Sequence, residues 1–287
     1  MAEDHTAGGH TSGLAKTHRT DTWWIEPLWT ALGFLGFILY SNWAAFQGEH
    51  YWYGGYLSPF YSPVLFTDLS RLGAAPEAHA WISTWPQWLH DIWPSFGSFR
   101  LPTSPAWLIL AGPLSFRATC YYYRKFYYRA YFMTPPACAV GALPQKKYKG
   151  ETFIFALQNL HRFTWFIAAA YIFILYWDAF VGLWQNGEVF TGQLGIGVGT
   201  VVLFINATLL ALYVLGCHSF RHMIGGKIDC YSCSATTRVR LSLWKRVTTL
   251  NENHMLWAWV SMVWVGLADL YVRLCSMGVI TDFNTWN

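Results

Sequence analysis

Residues 193–217 read QLGIGVGTVVLFINATLLALYVLGC, a run without a single Asp, Glu, Lys or Arg. At 1.5 Å of rise per residue, about 20 helical residues cover the roughly 30 Å of a bilayer's hydrocarbon core. The run is therefore expected to cross a membrane, and it sets the class of the chain as an all-α integral membrane protein. Working outward, four more segments have the length and apolarity to span, at about 27–47, 104–126, 152–178 and 254–275. The expectation is a five-transmembrane-helix bundle forming one membrane domain over residues 23–287. Composition agrees, since 54% hydrophobic, 19% aromatic and 12% charged residues over 287 positions leave too little polar surface for a soluble protein. The lipid bilayer is the expected surrounding, and no nucleic acid is expected as a partner.

Residues 1–22 are polar and His-rich with no apolar h-region, which predicts a cytoplasmic tail rather than a signal peptide. Between the first two spans lies a long aromatic stretch, from QGEHYWYGGYLSPFYSPVLF through HAWISTWPQWLHDIWPSF. It is too interrupted by Pro and Gly to span, so it reads as a long aromatic outer loop with Trp and Tyr at headgroup level. Orientation follows from Lys and Arg, which gather in cytoplasmic connections near helix ends. Fifteen of the nineteen fall in the tail, between 117 and 149, and between 221 and 246; Arg71, Arg100 and Arg273 fall on the other side, and Arg162 lies within a span. The protein is expected to be multi-pass in the cell membrane, N-terminus cytoplasmic and C-terminus outside. No fixed-period repeat is present.

With that orientation, five of the six cysteines and every helix-associated histidine lie toward the cytoplasmic face; only Cys275 does not. The sharpest local feature is Cys217-His218-Ser219-Phe220-Arg221-His222, whose two histidines are i and i+4 on one helical face. Such a pair suits a single metal ion, as in an HExxH helix, and does not suit the two opposed axial positions of one haem. The plainer reading is a polar helix end bonded to headgroups or to the next loop. Thiolates to complete a site have two sources. Cys230-x-x-Cys233 makes a compact Cys₂His₂ zinc site with His218 and His222. Alternatively Cys120 and Cys138 contribute, with Pro135-Pro136 turning Cys138 back toward the membrane. Two Cys and two His also suit a Rieske-type [2Fe–2S] cluster, in which two imidazoles replace two thiolates on one iron.

His161 and Arg162 lie about ten residues, or roughly 15 Å, inside the third span, where ionisable groups are costly and face protein or a cavity. One reading is a polar handle for a quinone, with Ser115, Arg117, Asn159 and Trp165 at compatible depth for its carbonyls and ring. The other is an interhelical hydrogen-bond network without a ligand. His161 or His254 is also a candidate haem ligand. Asp269 and Arg273 are spaced for a local ion pair, Glu26-Pro27 marks the start of the first helix, and Asp178 and Asn206 have no evident partner.

The segments RATCYYYRKFYYRAYF (117–132), TPPACAVGALP (134–144), CHSFRHMIGGKIDC (217–230) and AWVSMVWVGLADLYVRL (258–274) resemble the single-chain, cytochrome b-type membrane anchor of actinobacterial succinate dehydrogenase, respiratory complex II. The resemblance covers the second to fifth spans. It implies a flavoprotein subunit that oxidises succinate, an iron–sulfur subunit docked on the cytoplasmic face, and electron relay through a Rieske-type [2Fe–2S] cluster to quinone, expected as menaquinone. Carried over, His218 and His222 are the imidazole ligands and Cys120 and Cys138 the thiolates, with His161 and Arg162 serving quinone reduction. The pattern departs from soluble Rieske proteins, because Tyr122 and Gly141 occupy the positions where their Cys-x-His and Cys-x-x-His boxes carry histidine. Two alternatives stand beside this reading, a haem b anchor of the same complex and a zinc-stabilised membrane protein without redox function.

Overall fold

Long apolar helices arranged head to tail dominate the computed structural model, which describes residues 13–65, 95–96, 99–100, 106–143 and 157–286. In chain order the helices are α1 (Ile25–Gln47), α2 (Ala106–Thr119), α3 (Tyr121–Ala130), α4 (Leu157–Val181), α5 (Val198–Leu215), α6 (His218–Gly225), α7 (Ala235–Glu252) and α8 (His254–Ser276). Two short antiparallel hairpins, β1 (Trp52–Tyr53) with β2 (Tyr56–Leu57) and β3 (Ser95–Phe96) with β4 (Phe99–Arg100), complete the order with 3₁₀ turns at Pro59–Tyr61 and Gln185–Gly187.

Among the described residues four helices, α1, α4, α5 and α8, are long and apolar enough to cross a membrane. The expected span at 104–126 is corrected to two helices broken at Cys120, whose extended backbone (φ −65°, ψ 135°) caps α3. The described part of α2, 14 residues, covers about 21 Å. Two features oppose a continuous helix here. Pro113 lacks the N–H that would bond the Ile109 carbonyl, and the Tyr171 hydroxyl supplies that bond instead at 2.8 Å. One turn on, the Thr119 hydroxyl bonds back to the Ser115 carbonyl at 2.8 Å, a local alternative to the backbone ladder. The break is tolerated because Thr119 and Cys120 are buried in protein rather than in lipid.

Cross-contacts fix the directions of the helices. Phe34 in the first half of α1 meets Tyr123 and Phe126 of α3, while Gln47 at its end meets Arg273 near the end of α8. Trp165 near the start of α4 donates to the Val214 carbonyl near the end of α5 at 3.0 Å. Thus α1, α4 and α8 run one way and α2 and α5 the other, giving a near end rich in Cys and His and a far end that carries the β1–β2 hairpin. Gly199 opens α5 at the far end because a Cβ there would lie 2.4 Å from the Tyr56 ring.

The near-end core joins Phe116, Cys120, Tyr123, Trp165, Tyr213, Cys217 and Met262; the far-end core joins Ala44, Tyr51, Leu57, Phe60, Tyr61 and Ala106. Part of the expected cytoplasmic tail is pinned to this frame. The N–H of Ala15 donates to the Gly141 carbonyl at 3.0 Å, the N–H of Gly141 returns to Lys16 at 2.8 Å, and the Arg19 guanidinium reaches the Cys138 carbonyl at 2.8 Å. Residues 1–12, and the aromatic loop over 66–94, lie outside the described residues.

Candidate functional site

The break after α2 and the bend after α5 bring two cysteines to the near-end core, where α4 and α8 each add a histidine. His161 directs Nε2 at the Cys217 sulfur, 3.1 Å away, while its Nδ1 meets the Thr119 hydroxyl at 2.9 Å. His254, the first residue of α8, directs Nε2 at the Cys120 sulfur at 3.8 Å. All four side chains are buried; Cys120, Cys217 and His254 are 1–2% exposed.

Aromatic rings seal the group. Phe116 stacks on His161 at 4.6 Å, and Tyr213 stacks on His254 at 4.9 Å. The buried Nδ1 of His254 has no hydrogen-bond partner among the described residues. As placed, no three His, Cys, Asp or Glu side chains among the described residues stand close enough to hold one metal ion. The donors form two Cys–His pairs instead. Two thiols and two imidazoles, with an orphaned imidazole nitrogen among them, fit the donor chemistry of a mixed-ligand iron–sulfur centre.

Of the expected ligands, only Cys120 is in this group. Cys138 is exposed near the N-terminal segment, and His218 and His222 are exposed on α6. The reserve pair, Cys230 and Cys233, is joined in a disulfide and is not a thiolate source here. Cys217 and His254 were outside the expected set. Cys217 immediately precedes the His218 motif, and His254 follows the polar run Asn251-Glu252-Asn253 at the start of a span. A depth count alone puts both at the same level as Cys120.

Next to the Cys–His group lies a cleft of about 60 Å³, bounded by α1, α2, α4, α5, α8 and the Pro59–Tyr61 turn. Its walls are apolar, with Arg117, Asn206, Tyr171, Ser41 and Ser261 as the polar groups. Arg117 donates to the Ser261 hydroxyl at 3.1 Å and lies over the Tyr213 ring at 5.0 Å. Asn206, 3% exposed, has an amide nitrogen without a partner. Phe116 lines the cleft on one side and stacks on His161 on the other.

Arg117 is the expected quinone-binding residue that lines this cleft. Ser115 is committed to the Gly112 carbonyl at 2.7 Å, and Trp165 to Val214. Asn159 is half-buried and not part of the lining. His161 and Arg162 diverge: the histidine faces the sulfur of Cys217 and the arginine is exposed.

The sequence family described as actinobacterial succinate dehydrogenase subunit SdhC matches residues 25–278. Among solved structures, the chain is similar to one in the Mycobacterium smegmatis Sdh1 complex in the apo form, with 35% identity and a TM-score of 0.77 over 96% of this chain and 99% of that one. A search of curated proteins gave no match.

Proposed function

The chain belongs to the actinobacterial succinate dehydrogenase subunit SdhC family, and from that premise we propose that it carries electrons from a docked iron–sulfur subunit to quinone through a Rieske-type [2Fe–2S] centre held by Cys120, Cys217, His161 and His254. As a subunit of succinate:quinone oxidoreductase it is a multi-pass membrane anchor. Succinate oxidation belongs to the flavoprotein partner.

The observation that supports the reading is the placement of two buried Cys–His pairs, drawn from four separate stretches of sequence, in one core beside an apolar cleft. When bound, such a centre supplies a one-electron relay whose two imidazole ligands raise its potential. Burial and the Phe116 and Tyr213 rings exclude water from it. The Thr119 hydroxyl at Nδ1 of His161 orients that ring, as outer partners of metal-bound histidines do. With both nitrogens engaged, His161 is assigned to the centre rather than to quinone protonation. Each histidine faces a sulfur, which favours a mixed thiolate–imidazole centre over opposed axial ligands of haem b.

Arg117, Ser261 and the free amide of Asn206 offer donors to the carbonyls of a quinone, menaquinone being the expected type, and the apolar walls take its ring. Along α8, Ser261 is seven residues from His254, roughly 10 Å, a short distance for electron transfer from centre to ring. The near end is assigned to the cytoplasm because it carries the basic residues of the tail, α3, α6 and α7. Exposed Arg238, Lys245 and Arg246 on α7 give the iron–sulfur subunit a basic face to dock against.

Electron paramagnetic resonance of the purified, dithionite-reduced complex tests the ligand set. We expect a low-average-g signal in the native complex that disappears in Cys217→Ser and in His254→Ala and persists in the His218→Ala/His222→Ala double variant. Quinone reduction should fall to background in the first two, with succinate oxidation by an artificial acceptor retained. Loss of the signal in the double variant instead would return the ligands to α6, and no such signal in the native complex would remove the centre altogether.

A further inference from the structure

The far wall of the cleft is a piece of loop. Pro59 and Phe60 of the 3₁₀ turn line it, and a serine anchors the turn on either side. The Ser58 hydroxyl donates to Asp269 on α8, and the Ser62 hydroxyl donates to Asp178 on α4. Both serines are fully buried, and the carboxylates are 0% and 3% exposed.

Behind the first anchor, Asp269 accepts a second hydrogen bond from Tyr40 at 2.6 Å and pairs with Arg273 at 3.3 Å. Arg273 in turn reaches the Gln47 side chain and the Glu49 carbonyl, the latter at 3.0 Å. Between the serines, Tyr61 stacks on Tyr51 at 4.1 Å and donates to the Ala44 carbonyl at 2.7 Å. Phe60 sits against Phe37 and Tyr40 at 6.3 and 6.2 Å between ring centres.

Burying carboxylates at this depth is costly, and ionisable residues inside a membrane domain mark function more often than structure. Irregular backbone enters the membrane only where it is buried in protein or lines a cavity. Here it does both, and the cavity is the one whose opposite end carries Arg117, Asn206 and Ser261. We propose that the Ser58–Ser62 segment is the built far wall of the quinone cleft, and that Asp269 and Asp178 are positioning residues which, through Ser58 and Ser62, hold Pro59 and Phe60 against the bound ring. This rests on the assignment of the cleft to quinone. The cleft then grips its substrate from two sides, with donors at the near end for the carbonyls and an aromatic stop at the far end. The stop sets how far the ring sinks and so selects a planar, apolar, two-carbonyl ring over a smaller one.

The test uses the assembled complex, with calorimetric binding of a short-chain naphthoquinone and the separate KM and kcat for its reduction. Phe60→Ala should raise both Kd and KM on the order of tenfold, the scale of emptying part of an apolar pocket, while kcat changes much less. Ser58→Ala should move Kd and KM the same way on the order of tenfold, the low end of the loss of one hydrogen bond to a charged group, and Ser58→Thr, which keeps the hydroxyl, should recover most of it. Asn206→Leu serves as the control for the cleft itself and should weaken binding. If Asn206→Leu weakens binding and both Phe60→Ala and Ser58→Ala leave it unchanged, the wall is structural only and the proposal falls. If Ser58→Thr binds as poorly as Ser58→Ala, the anchoring role of the serine falls. If none of the variants alters Kd, the quinone assignment fails and takes the wall with it. Should Ser58→Ala not assemble, Ser62→Ala and Phe60→Leu read the same quantities.

Discussion

The two ends of the bundle bury polar groups in opposite ways. At the far end the buried carboxylates of the described residues are answered: Asp269 accepts from Ser58 and Tyr40 and pairs with Arg273, and Asp282 accepts from Tyr56 at 2.9 Å and Tyr271 at 2.6 Å. At the near end the donors are close to one another yet incompletely satisfied. Among the described residues the Nδ1 of His254 has no partner, and the Cys217 sulfur accepts from the Ser219 N–H at 3.4 Å while the two sulfurs face imidazoles at 3.1 and 3.8 Å. A buried polar group without a partner costs about 1–3 kcal/mol, so a group left in that state needs either a missing partner or a reason. The paired charges of the far end hold the fold, and the near end, where Nδ1 of His254 lies unpaired among the described residues, is the candidate binding end.

The largest expected difference comes from breaking the far end. Arg273→Leu leaves Asp269 buried beside a hydrocarbon side chain, and removing one member of a buried pair costs about 3–5 kcal/mol. We expect sharply lower recovery of assembled complex and a large drop in its apparent unfolding temperature, followed by heating and size-exclusion chromatography. The double change Asp269→Asn with Arg273→Leu should recover part of the loss. The near end should respond in the opposite sense: Cys120→Ala removes a thiol that no saturated network depends on, so the protein should fold while the relay is lost. Equal loss of stability at both ends would erase the distinction drawn here.

A smaller effect probes orientation at the near end. Thr119→Val keeps shape but removes the hydroxyl 2.9 Å from Nδ1 of His161. Outer partners of metal-bound histidines are worth about 10–100-fold in metal affinity or activity, so we expect roughly a tenfold fall in iron retention during chelator challenge, with little change in the unfolding temperature. A change in stability without a change in retention would assign Thr119 to the helix break alone.

How much of this was readable in the sequence depended on whether the information was local. The single-helix spans were readable because a run such as 198–215 contains its own evidence of length and apolarity. So was the Asp269–Arg273 pair, since i and i+4 on a helix must be neighbours. The break inside the second span is not legible in the sequence, because nothing in a hydropathy window records that Thr119 bonds backward and Cys120 turns extended. The grouping of Cys and His side chains is hard to read from sequence for a related reason. His218 and His222 are neighbours in sequence, which made them the natural pair, whereas His161, Cys217 and His254 meet only through the packing of α4, α5 and α8. Depth along the helices places Cys120, His161, Cys217 and His254 near one level, which spacing along the chain does not. Arg162 shows the converse, since adjacency to His161 on a helix turns it to a different face and leaves it exposed.

The smallest effect expected lies between the two ends, where Tyr171 serves the backbone and the cleft together. Pro113 frees the Ile109 carbonyl in the middle of α2, and the Tyr171 hydroxyl answers it from α4 at 2.8 Å. Tyr171→Phe removes only that bond, and interhelical hydrogen bonds in membrane proteins average about 0.6 kcal/mol. The variant should lower the unfolding temperature slightly and leave the relay signal unchanged. If the freed carbonyl is the cause, adding Pro113→Ala to Tyr171→Phe restores an internal partner for Ile109, and the double variant should lose less stability than the sum of the two single changes. Additive losses would mean that α2 is held in its broken form by its packing against α4, with the hydroxyl incidental, and the polar care seen at the far end would then not extend to the middle of the bundle.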